Sequence, residues 1–161
     1  MPIPVDIKGV IQVSDGLFET ALVTIPGIGA AIAYTAGDAF GGKFILDVPV
    51  KGQIHTALFL DRDDEGLETD LVMFRDDFTA TVDNDAFAVS DADLQKLLGN
   101  ITWAAFKNFT NNQESTAAAL GLLYHAPKGQ IFCQCVARGA PNIAAGSEPM
   151  VRLSIIPVRE E

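Results

Sequence analysis

The chain has 161 residues, 48% of them apolar and 20% charged, with a mean hydropathy of +0.24, which is enough to bury one sizeable core and too apolar for a disordered chain. No run reaches the roughly 20 apolar residues of a membrane-spanning helix, and Met1-Pro-Ile-Pro-Val-Asp-Ile-Lys8 lacks the basic and apolar regions of a secretory signal. A net charge of −10 argues against a nucleic-acid binder, and two cysteines cannot build a disulfide scaffold.

In chain order, Ile3, Val5, Ile7, Ile11 and Val13 alternate with polar residues, the period of a half-buried strand. Residues 1–5 read as an N-terminal arm. A second strand is predicted over Leu17–Ile25, ended by Pro26-Gly-Ile-Gly29, and a short one over Ala30–Ala36. Lys43–Val50 and Gln53–Leu60 flank a Pro49–Gly52 turn. Thr69–Arg75 is expected to pair with Gln53–Leu60 as a hairpin across the acidic loop Asp61–Gly66. Further strands are predicted over Ile101–Lys107, Ala118–His125, Gln130–Arg138 and Val151–Ile156.

One short α-helix is predicted over about 91–98. Ser90-Asp-Ala-Asp93 has the form of a capping box, Leu94, Leu97 and Leu98 recur at helical spacing, and Gly99 follows as a stop. So little helix among so many strands excludes a doubly wound α/β fold. The expected architecture is all-β: a single antiparallel β-sandwich domain of jelly-roll character over 1–161. Gln53–Leu60 and Thr69–Arg75 are apolar on both faces, which suggests that another subunit covers their outer side.

The charge is concentrated. Residues 61–93 hold twelve acidic residues against Arg62 and Arg75, a net of −10, while the remainder sums to zero. Such a segment reads as a solvated face. Asp61-Arg-Asp-Asp-Glu-Gly66 opens like a calcium loop, but the twelfth position holds Val72 where an EF-hand needs a bidentate Glu. Gly27-Ile-Gly29 lacks the third glycine and the following helix of a dinucleotide fingerprint. Cys133 and Cys135 share one face of a strand and read as buried thiols, and His55 and His125 are isolated in apolar strands. No Gly-x-Ser-x-Gly elbow is present. The residues therefore indicate no catalytic, cofactor-binding or metal site, and no enzyme. Asn100-Ile-Thr102 and Asn108-Phe-Thr110 are formal glycosylation sequons, read as chance.

Two stretches carry a resemblance. Ala33-Tyr-Thr-Ala-Gly-Asp-Ala-Phe-Gly41 resembles an AYxAGDxxG segment of small virion structural proteins of tailed bacteriophages. Asp83-Asn-Asp-Ala-Phe-Ala-Val-Ser-Asp-Ala-Asp93, closed by Gly99, is similar to their DNxxFxxSDAD segment, with Gly52, His55 and Leu60-Asp61 between the two. The similarity spans roughly residues 30–157. It implies a structural protein of the phage particle, and within that family the role that best suits a compact acidic β-domain is a head decoration (cement) protein, made in the host cytoplasm, that binds the major capsid protein on the outside of the assembled head. It implies no catalytic residues. The expected assembly is a homotrimer near local three-fold positions, with a dimer as the competing arrangement, and neither nucleic acid nor membrane is a partner. Candidate contacts are the strands with two apolar faces, the 1–5 arm and the neutral loop Gly139–Gly146. A tail or baseplate β-sandwich is the alternative, in which Trp103, Tyr34 and Tyr124 could line a carbohydrate site. A cupin-like enzyme would need a histidine cluster that two distant histidines cannot supply, and a major shell protein is expected to be longer.

Overall fold

Period-two alternation becomes two antiparallel sheets packed on each other in a computed structural model that describes residues 16–29, 33–65, 67–144 and 146–158. The strands are β1 (Phe18–Glu19), β2 (Val23–Thr24), β3 (Ala39–Asp47), β4 (Lys51–Asp61), β5 (Thr69–Phe74), β6 (Leu97–Trp103), β7 (Lys107–Asn108), β8 (Gln113–Ala117), β9 (Leu122–His125), β10 (Gln130–Ala137) and β11 (Met150–Pro157). The larger sheet has the order β1-β11-β4-β8-β7, with β2 also on β11 and β9 also on β4; the smaller has the order β3-β10-β5-β6.

If β1 with β2 and β8 with β9 are each taken as one interrupted strand, and the two-residue edge strand β7 is set aside, eight positions result. They run one-eight-three-six in the larger sheet and two-seven-four-five in the smaller. That is the strand order of a jelly roll, in which the chain repeatedly crosses between sheets. The predicted strand over 3–13 and the 1–5 arm lie outside the described residues, as do residues 30–32 of the predicted Ala30–Ala36 strand. Residues 33–36 are not strand, and Leu17–Ile25 is reduced to β1 and β2.

The expected hairpin between Gln53–Leu60 and Thr69–Arg75 does not form. β4 is hydrogen-bonded to β11 on one side and to β8 and β9 on the other, while β5 lies between β10 and β6. The acidic loop is a crossing from one sheet to the other. Ala57 and Phe59 of β4 meet Leu71 and Met73 of β5 in the main core, face to face rather than edge to edge. The indole N–H of Trp103 on β6 donates to the Ala57 carbonyl at 3.0 Å, a buried bond that ties the sheets together.

The outer side of β5 is covered by the chain itself. Every residue of β5 is buried. Val72 and Phe74 point away from the main core and, with Phe132 and Val136 of β10, form a second cluster capped by Phe78, Ala80, Phe87 and Val89. Phe78 stacks on Phe74 with ring centroids 4.1 Å apart. The chain's own segment 75–93 is thus folded back as a strap across the outer face of the smaller sheet. Gln134, fully buried beneath it, accepts from the Thr81 N–H at 3.0 Å and donates to the carbonyls of Thr81 at 2.7 Å and Gly41 at 2.9 Å.

The helix is one turn, α1 (Asp91–Leu94), rather than 91–98. Its capping is as predicted: the Ser90 hydroxyl accepts the Asp93 N–H at 3.1 Å. It ends because Leu97 and Gly99 pair with Phe74 and Met73 as the start of β6. Strand pairing with a buried neighbour outweighs the propensity of a helix this short.

Candidate functional site

The two segments that carry the resemblance form one joint. Asp83 accepts the Tyr34 hydroxyl at 2.7 Å, the Gly41 N–H at 2.7 Å and the Gly29 N–H at 2.9 Å. The backbone of 37–39 then runs beside 84–87: Ala39 N–H to Asp85 carbonyl at 2.8 Å, Asn84 N–H to Ala39 carbonyl at 2.9 Å, Phe87 N–H to Gly37 carbonyl at 2.9 Å. Thr35 donates from its amide and its hydroxyl to Asp38, each at 2.7 Å. Burial, and then the neighbouring Asp83 carboxylate, push the Tyr34 phenol far above its usual range, so it stays a donor. β3 bulges opposite Gln134, with three residues between the pairs Phe40–Cys135 and Phe44–Cys133. This bulge turns the Gly41 N–H out of the ladder toward Asp83.

The acidic segment is less solvated than its composition suggests. Asp61, Asp70 and Asp93 are buried, each with partners. Asp70 takes Arg138 at 2.6 and 2.7 Å and the Thr102 hydroxyl at 2.6 Å. Asp93 takes Lys96 at 2.6 Å and the Thr79 N–H at 3.1 Å, and these two donors hold its carboxyl down at about 2. Asp76 and Asp77 are also lowered, chiefly by Lys128 and Lys43 respectively. The remaining acidic residues of the segment that are described are half-buried or exposed. Several carboxylates thus serve as anchors for the strap.

The calcium-like loop uses its oxygens internally. Asp61 accepts the N–H groups of Asp63 at 2.9 Å and Glu65 at 2.8 Å, and the Gln113 amide at 2.9 Å. Asp63 and Glu65 in turn accept the N–H groups of Ala144 and Asn142. The neutral loop after β10 is therefore docked on the acidic loop. Among the described residues, no group of three or more His, Cys, Asp or Glu side chains is placed to hold a metal ion.

Cys133 and Cys135 are free, fully buried in the main core, and burial raises both thiols well above their usual range. His55 and His125 are exposed on the larger sheet. Trp103, Tyr34 and Tyr124 are all buried, so they do not line a carbohydrate site, the role considered for them in the tail alternative. A different aromatic does face solvent. Phe109, at the β7–β8 turn, is 52% exposed beside a groove of about 230 Å³ lined by Leu60, Asp61, Arg62, Asn112, Gln113 and Glu114. Its sequence neighbourhood, Asn108-Phe-Thr-Asn-Asn112, marks a turn but not a groove.

No protein-family model, curated protein or solved structure matches the chain.

Proposed function

We propose that this chain is a structural protein of a tailed-bacteriophage particle, a head decoration protein that binds the outside of the assembled head and stabilises it by bridging capsomers. The observation that carries the reading is the Asp83 joint. The two segments on which the resemblance rests, 33–41 and 83–93, are held to each other by Asp83 and by the paired backbones of 37–39 and 84–87. Their order and spacing therefore describe one structural unit of the chain. Jelly rolls also serve in viral shells, although a fold alone assigns no function.

In this reading the chain does no chemistry. A preformed patch binds one state of the shell lattice, and that state is stabilised by mass action. The partners are the major capsid protein and further copies of the chain, assembled as a homotrimer near local three-fold positions. Because the strap already covers the smaller sheet, the subunit contact falls to the outer face of the larger one, where Leu58 and Leu60 are half-buried and Leu123 and Ile156 are exposed. The acidic strap then faces solvent.

Particles assembled without the protein test the reading. Heads that break at lower temperature, and are restored by adding purified protein, are the expected result. Heads that resist heat as well as intact ones, with tails that fail to adsorb, would replace it with the tail reading. Light scattering of the purified protein tests the trimer, and a stable monomer at micromolar concentration would remove it.

A further inference from the structure

We propose that the open edge of β1 and β2 is a docking edge for the chain's own N-terminal segment, residues 3–13, which adds to the larger sheet as one more strand. Among the described residues, β1 and β2 are paired on one side alone, to β11, and no strand lies on their other side. That edge also lacks an apolar cover. Phe18 pairs with Ile155 and Val23 with Val151, so both face the main core, where those two partners are fully buried. Yet Phe18 is 37% exposed, and its neighbour Leu17 is 53% exposed. A core-facing ring left open on the free side of its strand is what a missing neighbour strand leaves behind.

The segment that precedes this edge has the matching chemistry. Its apolar residues Ile3, Val5, Ile7, Ile11 and Val13 fall on one side of a period-two alternation whose other side is mostly polar. Pro4 cannot donate to a ladder and Lys8 carries a charge, and both suit the outermost strand of a sheet.

The connection selects the chain's own edge over that of a second copy. Ser14-Asp-Gly16 joins the segment to β1, and Asp-Gly between alternating apolar runs is a hairpin signal. Gly16 has φ +36°, the positive sign that such a turn requires. So short a loop costs little closure entropy. A two-residue Asp15-Gly16 loop sets Val13 opposite Phe18, on the core side, and Gln12 opposite Glu19. The edge is then closed to pairing with other chains, and association is left to the outer face with Leu123 and Ile156. The same edge is open whether the protein sits on a head or a tail.

Hydrogen exchange of the full chain, followed by NMR, tests the docking. Amides within residues 6–13 should exchange at least tenfold more slowly than in a free peptide of residues 1–15, and exchange as fast as in that peptide would overturn the proposal. Gln12→Cys combined with Glu19→Cys tests the register, since directly opposite positions lie within disulfide reach. Cys133 and Cys135 are fully buried and do not compete. Mild oxidation should consume the two new thiols within one chain, leaving a monomer on a non-reducing gel. A link between two chains, which would give the edge to a second copy, or no link at all, would overturn it.

Discussion

Gln134 binds Thr81 twice, accepting its N–H at 3.0 Å and donating to its carbonyl at 2.7 Å, as a neighbouring strand would. This one fully buried side chain takes the place of a ladder across the outer face of the smaller sheet. Gln134→Leu keeps the size but leaves Thr81 and the Gly41 carbonyl without it. The expected cost is about 2–4 kcal/mol in urea unfolding. Limited proteolysis should then cut first within residues 76–93.

The Asp83 joint is graded. Tyr34→Phe removes one donor and leaves the Gly29 and Gly41 N–H groups on the carboxylate, so thermal unfolding should report about 1–2 kcal/mol. Asp83→Ala strands all three donors, and about 3 kcal/mol or more is expected. Equal losses in the two variants would show that the phenol, rather than the carboxylate, organises the joint.

Gly41 has φ +75°, and a Cβ built there would lie 2.5 Å from the Ile25 side chain and 2.8 Å from the Pro26 carbonyl. Both the conformation and the space therefore exclude a side chain. Gly41→Ala should cost more than about 1 kcal/mol and lower the midpoint of denaturant unfolding. Gly37→Ala, with nothing within 4 Å of the added carbon, carries only the conformational penalty of its φ of +103°.

Acid should loosen the strap in a defined window. The Asp93 carboxyl is held at about 2, first by Lys96 and then by the Thr79 N–H. A native value below the unfolded value of about 3.9 gives stability that is complete above about pH 5 and is lost as pH falls toward 2. Asp76 and Asp77 act in the same direction through Lys128 and Lys43. Denaturant midpoints should hold steady from about pH 7 to 5 and drop below about 4. Asp93→Asn should make that drop shallower while lowering the plateau.

Much of the fold was legible in the residues. Alternation placed β4, β10 and β11 almost to their ends, put Cys133 and Cys135 together on one buried face, and Ser90 marked the start of α1. Period two reports that one side of a strand meets a core, but not which strand lies beside it. That is why β5 looked like the partner of β4 when it is its counterpart in the opposite sheet. Helical spacing at Leu94, Leu97 and Leu98 was equally real, yet pairing with β5 claimed Leu97 for β6.

The candidate site was less legible, because exposure is a property of the assembled chain. Trp103 and Phe109 are both aromatic residues near strand ends, and only packing buries the first and leaves the second in water. Charge count likewise could not distinguish Asp93, locked between Lys96 and Thr79, from a freely solvated carboxylate. Composition and period determined that this chain makes strands with two apolar faces. Tertiary structure decided that its own residues 75–93 cover one of them, because an apolar face records that it must be covered and says nothing of what covers it.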